Sequence, residues 1–173
     1  MVSMLSLSGV LLAVAWFAAM RSPLSGMVGG IAILLSITAF IIPKFIAIWT
    51  IPQLAEASAT GGIGSEFADQ LLLILNVSVP FSLYTSFDYL GFWLYALFAL
   101  VIAAPLFKNA LIWKFVAVSL GVFGAAFHTL LIALLMRKVV PADIESWFLG
   151  STLFLIVAII AAVLGFRTTG NQS

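Results

Sequence analysis

"SVPFSLYTSFDYLGFW", residues 78–93, places a proline, several hydroxyls, two tyrosines and an aspartate inside a chain that is otherwise almost continuously apolar. Whether it is a turn or a polar interior decides how often the chain crosses a membrane and whether it has a place to bind anything. From Asp69 to Phe107 there are 39 residues without a basic residue, about 58 Å if wholly helical at about 1.5 Å per residue. A crossing takes roughly 20 apolar residues over about 30 Å of hydrocarbon, so this length reads as two crossings with a turn between them. "TSFDYLG", residues 85–91, combines turn-forming residues with a charge. The expectation is a third span over 70–86, a turn within 85–91 capped by Asp88, and a fourth span over 89–107. Tyr84, Tyr89 and Trp93 then form an interfacial aromatic belt.

The composition around this stretch sets the class. Of 173 residues, 64% are hydrophobic and 8% charged, with a mean hydropathy of +1.28, whereas soluble domains are about 45–50% apolar and about 25% charged. An integral membrane protein follows. The net charge is +1 and the seven Lys/Arg are scattered singly apart from Arg137 and Lys138, so no basic patch points to nucleic acid. The absence of cysteine excludes disulfides, thiolate metal sites and thiol catalysis.

Outward from residues 70–107, a first span is expected over 3–20, closed by Arg21, Ser22 and Pro23. It is read as a retained span because it lacks the positive n-region of a secretory signal. A second span covers 27–49, with Gly26 and Gly30 spaced for close helix approach and Pro43 kinking its far end. Residues 50–68 read as a polar loop, with Glu66 and Asp69 where the next helix's N-terminus favours acids. A fifth span covers 111–136 and a sixth 147–166, followed by the polar tail "RTTGNQS". The chain is thus a single all-α domain, 1–173, a bundle of about six transmembrane helices without a soluble domain. Six spans place both termini on one face with Lys44, Lys108, Lys114 and Arg167, against Arg21, Arg137 and Lys138 on the other. That excess favours cytoplasmic termini.

Candidate ligand-binding residues are His128, Asn76, Ser78, Ser82 and Tyr84. His128 lies roughly 7 Å from the midpoint of its span by helical rise, on a stripe of Lys114, Ala117, Gly121 and Ala125. An imidazole there is either a hydrogen-bonded structural group or a ligand or proton contact. Asn76, Ser78, Ser82 and Thr85 recur at helical spacing, with a carbonyl freed by Pro80; they are either interhelical hydrogen bonds or the polar wall of a cavity between spans three and five that includes His128. The membrane ionisable residues are Lys44 and Asp88. Lys44 is near enough to a span end to snorkel; the alternative is an ion pair with Asp88 or Asp69, although six spans place Lys44 and Asp88 on opposite faces. No catalytic residue, metal site or cofactor is indicated: P-loop, G-x-S-x-G, paired intramembrane carboxylates, C-x-x-C-H and TVGYG are all absent.

The run "DYLGFWLYALFALVIAAPLFKNALIWKFVAVSLGVFGAAFHTLLIALL" joins a Gly/aromatic span, a short basic turn bearing tryptophan, and a Gly-rich span. Over residues 70–136 the chain resembles uncharacterised bacterial six-span membrane proteins of the domain of unknown function 4386 family. The resemblance implies the topology and a bacterial plasma (inner) membrane, and carries no catalytic residues. The function expected is that of a non-enzymatic polytopic membrane protein: a small-ligand or lipid-binding bundle, or an accessory subunit of a membrane complex. Its partners would be membrane lipids, a small apolar or amphipathic ligand, or other membrane subunits. The alternative is a small transporter or a substrate-binding transporter subunit.

Overall fold

The break in the chain falls at residues 75–82, one segment earlier than expected. In the computed structural model, which describes residues 2–62 and 64–170, helix α4 (Ser65–Ile74) stops there and helix α5 (Leu83–Phe107) begins. Local chemistry explains it. Asn76 turns its side chain onto its own backbone, Oδ1 accepting from the Ser78 N–H at 2.9 Å, an alternative to helical hydrogen bonding that short polar side chains offer. Pro80 then lacks the N–H that an interior helical position needs, and Phe81 takes a left-handed φ of 60°. Ser82 caps α5 by accepting from the Thr85 N–H at 3.3 Å.

Two expectations are thereby corrected. Residues 70–86 do not form a span, because α4 has 10 residues, about 15 Å of helix. Asp88 is not a turn residue, because α5 runs without interruption through 85–91.

The expected loop at 50–68 is also mostly helix. Helix α2 (Pro23–Phe45) continues through a π-helical stretch, Ile46–Thr50, into α3 (Ile51–Thr60), giving 38 continuous helical residues, about 57 Å. That is nearly twice the hydrocarbon thickness, so α3 extends past the apolar layer. Pro52 sits in the first turn of α3, and Gly61 ends it at φ 61°, a conformation that glycine adopts without a Cβ penalty. Helix α4 folds back on α3, where the Ser58 hydroxyl donates to the Asp69 carboxylate.

The remaining helices are α1 (Val2–Ala19), α6 (Leu111–Leu135) and α7 (Ile144–Gly170), the last preceded by a 3₁₀ turn, Pro141–Asp143. The protein is all-α and membrane-embedded. By length and apolarity four described helices can cross a membrane: Pro23–Thr60, Leu83–Phe107, Leu111–Leu135 and Pro141–Thr168. The shorter α1 packs alongside them. Ser8, in its second turn, bonds Tyr95 at the middle of α5 at 2.6 Å, and Phe17 near its end stacks on Trp113 of α6 at 4.2 Å. Phe17 also meets Phe166 near the end of α7, so α1 and α7 run parallel. Val2 and Gly170 accordingly lie at opposite ends of the bundle, where six spans would have placed them together. Of the expected tail, residues 171–173 lie outside the described residues.

Helices α1, α2, α5, α6 and α7 pack in sequence around a core of Tyr95, Phe98, Ile102, Leu120, Phe123 and Phe127, each at most 1% exposed. Lipid tails are as apolar as these side chains, so close packing and interhelical hydrogen bonds hold the helices together. Ser36 illustrates both: its hydroxyl donates to the Gly91 carbonyl at 2.8 Å, where a side chain on Gly91 would enter the Phe40 ring. Gly29, with Ile102 against it, provides the close approach expected of Gly30, which faces open space. On α7, Leu149, Leu153, Ile156 and Ile160 are exposed and recur at helical spacing, the pattern of a lipid-facing stripe.

Charge divides along the bundle axis. All six acidic residues lie at the end formed by α3, α4, residues 75–88 and the start of α7, together with Lys44, Arg137 and Lys138. Arg21, Lys108, Lys114 and Arg167 lie at the opposite end, where Arg21 bonds the Lys108 carbonyl at 3.0 Å.

Candidate functional site

Polar and aromatic side chains converge where α5 begins. Tyr84, Asp88, Gly91 and Tyr95 recur at four-, three- and four-residue spacing, so they share the face of α5 that meets α2. From α2, the Lys44 ammonium reaches this face just beyond the buried Pro43. It donates to Asp88 Oδ2 at 3.1 Å and Oδ1 at 3.3 Å, and to the Tyr84 hydroxyl at 3.0 Å. It also stands 4.9 Å from the centroid of the Tyr84 ring. The lysine and aspartate side chains are 26% and 23% exposed. Lys44 is therefore neither snorkelling nor opposed to Asp88 across the membrane. With the third span gone, α2 ends and α5 begins at the same level, which brings the two charges together.

The adjoining face of α5 forms one wall of a cavity of about 600 Å³. Thr85, Tyr89 and Phe92 line it, again at helical spacing, with Tyr84 and Asp88 at the edge shared with Lys44. The opposite wall is the start of α7, with Glu145, Phe148, Leu149 and Thr152; Val77, Ser78 and Pro80 from the irregular segment border it. Phe148 is held in place by stacking on Phe127 of α6 at 4.4 Å, and it meets Tyr89 at 5.2 Å. The lining thus contains two carboxylates, four aromatic rings, the hydroxyls of Ser78, Thr85, Thr152, Tyr84 and Tyr89, and no basic side chain.

The expected site residues divide. Ser78 and Tyr84 line the cavity. Asn76 and Ser82 do not; they build the turn and the cap that shape it. His128 is elsewhere, half-buried on α6, with Nδ1 2.7 Å from the carbonyl of Gly124 in its own helix and its ring 6.3 Å from Trp93. The cavity expected between spans three and five, with His128 in its wall, is corrected to one between α5 and α7. Its phase is the reason: the buried stripe of α6 runs through Val116, Leu120, Phe123, Gly124 and Phe127, leaving Ala125 exposed and His128 at the margin. Glu145, Phe148 and Thr152 were not foreseen; their three- and four-residue spacing was legible, but not the partner they face.

Among the described residues, no three His, Asp or Glu side chains gather as a metal site. No buried side-chain nitrogen or oxygen among them lacks a hydrogen-bond partner. No family model, curated protein or solved structure matches this chain.

Proposed function

We propose that this is a non-enzymatic membrane protein that binds a small amphipathic ligand, solute or lipid, in the cavity between α5 and α7. The observation that carries it is the cavity itself: about 600 Å³, within the roughly 300–1,000 Å³ of small-molecule sites, with mainly apolar walls and a few placed polar groups. A second reading, a small transporter or its substrate-binding subunit, is favoured by the Lys44–Asp88 pair, since ionisable groups inside membrane helices mark solute and ion paths.

The test is native mass spectrometry for co-purifying ligand, followed by thermal unfolding with that ligand added. At a hundred-fold excess over Kd, one-site binding adds about 2.7 kcal/mol of stability. Thr152→Trp, which fills the cavity, abolishes the gain, and His128→Leu leaves it intact. Equal stabilisation of wild type and Thr152→Trp removes the cavity from the proposal.

The same reading assigns a direction. The positive-inside rule puts the end with Arg21, Lys108, Lys114 and Arg167 in the cytoplasm, so the C-terminal end of α7 is cytoplasmic and the start of α1 is not. The cavity then opens toward the outer side. Because the chain has no cysteine, single cysteines report sidedness directly. Gly62→Cys should react with a membrane-impermeant maleimide in intact cells, and Asn109→Cys only after permeabilisation; the reverse pattern inverts the orientation.

A further inference from the structure

We propose that the ligand is an amphipathic organic cation, its ammonium group held between carboxylates and aromatic faces at the α5–α7 cavity. This deepens the binding reading above and rests on it. The protein already seats one ammonium with the same elements. Lys44 Nζ is bound by the Asp88 carboxylate and the Tyr84 hydroxyl, 4.9 Å from the centroid of the Tyr84 ring, on the border of the cavity. The cavity itself carries a second carboxylate with aromatic rings: Glu145 from the start of α7 lines it together with Tyr89 and Phe148.

Charge and polarity narrow the class. Asp88 is matched by Lys44, whereas Glu145 has no cationic partner among the described residues. No lysine or arginine lines the cavity, so an anionic headgroup would meet like charge without compensation. An ammonium is attracted both by the carboxylate and by the negative faces of the rings, and the attraction grows as water is excluded. The apolar walls given by Phe92, Phe148 and Leu149 suit a hydrocarbon body attached to that ammonium. The shared chemistry is that of a free amphipathic amine and of an ethanolamine lipid headgroup.

The experiment uses the full chain in maltoside micelles with three probes of similar size: benzyltrimethylammonium, its neutral isostere neopentylbenzene, and benzylphosphonate. The cation should raise the unfolding temperature saturably, with at least ten-fold higher affinity than the neutral isostere, and the phosphonate should give no shift. Glu145→Gln, an exposed position whose change leaves the fold intact, should lower affinity for the cation about ten-fold and leave the neutral probe unchanged. Displacement of the bound cation by short-chain phosphatidylethanolamine assigns the site to a lipid headgroup; no displacement assigns it to a free amine. Equal binding of cation and neutral probe, both lost in Thr152→Trp, overturns the cation class while the cavity stands. Failure of all three probes, with no ligand co-purifying, overturns both.

Discussion

Lys44→Met destabilises the bundle by about 2–3 kcal/mol, and adding Asp88→Leu restores most of the loss. The asymmetry follows from what each change leaves behind. With methionine at 44, the Asp88 carboxylate keeps its charge at a site only 23% exposed and loses a partner that donates to both its oxygens. Removing one member of a buried pair costs about 3–5 kcal/mol because the other charge is stranded; partial exposure lowers that figure here. Replacing both by apolar side chains strands nothing, and such swaps are often neutral or stabilising. Reversible unfolding of the two single variants and the double variant in mixed micelles gives the coupling, expected at about 2 kcal/mol. Additive losses would mean that the two residues contribute separately, and the pair would then not be what joins α2 to α5 at this end.

That pair also marks the limit of what the sequence discloses. Helices α2, α6 and α7 are legible as apolar runs of the right length, and α5 as one whose start is uncertain. Between Pro80 and Asp88, both turn-like, the choice rests on unlike information. The signal at Pro80 is local: Asn76 and Ser78 bend the chain, proline removes a donor, and Ser82 stands at the cap three residues before Thr85. The signal at Asp88 is long-range, because what allows a carboxylate in the second turn of α5 is an ammonium 44 residues earlier in the chain. Spacing arguments gave period without phase for a further reason. In lipid the outer face of a helix is as apolar as its inner face, so a regular stripe of small residues does not say which side it faces. Gly30 and Gly121 fit the period as well as Gly29 and Gly124, and the second pair makes the tighter contacts. The cavity was illegible for both reasons: its walls come from α5 and α7, and their facing depends on where α5 begins.

Phase can be tested by overpacking. A Cβ on Gly124 would come within 2.8 Å of Leu100 Cγ and 2.9 Å of the Ala96 carbonyl oxygen. The oxygen belongs to the α5 backbone, so no rotamer relieves the contact and the two helices must separate. Gly124→Ala is expected to cost about 1–3 kcal/mol, the usual range for overpacking, and Gly124→Leu more than about 3 kcal/mol, since its branched end must occupy the same space. Gly30→Leu is the comparison. Nothing lies within 4 Å of a Cβ there, and a leucine facing lipid should change stability by no more than about 0.5 kcal/mol. At Gly121 a Cβ would have only Ala103 at 3.8 Å, so Gly121→Ala should be tolerated. The order of loss, 124 well above 121 and 30, follows if α6 meets α5 through Phe123, Gly124 and Phe127. If Gly121→Leu and Gly30→Leu prove as costly as Gly124→Leu, the helix is rotated toward the stripe that ends at His128, and the histidine would return to the bundle interior.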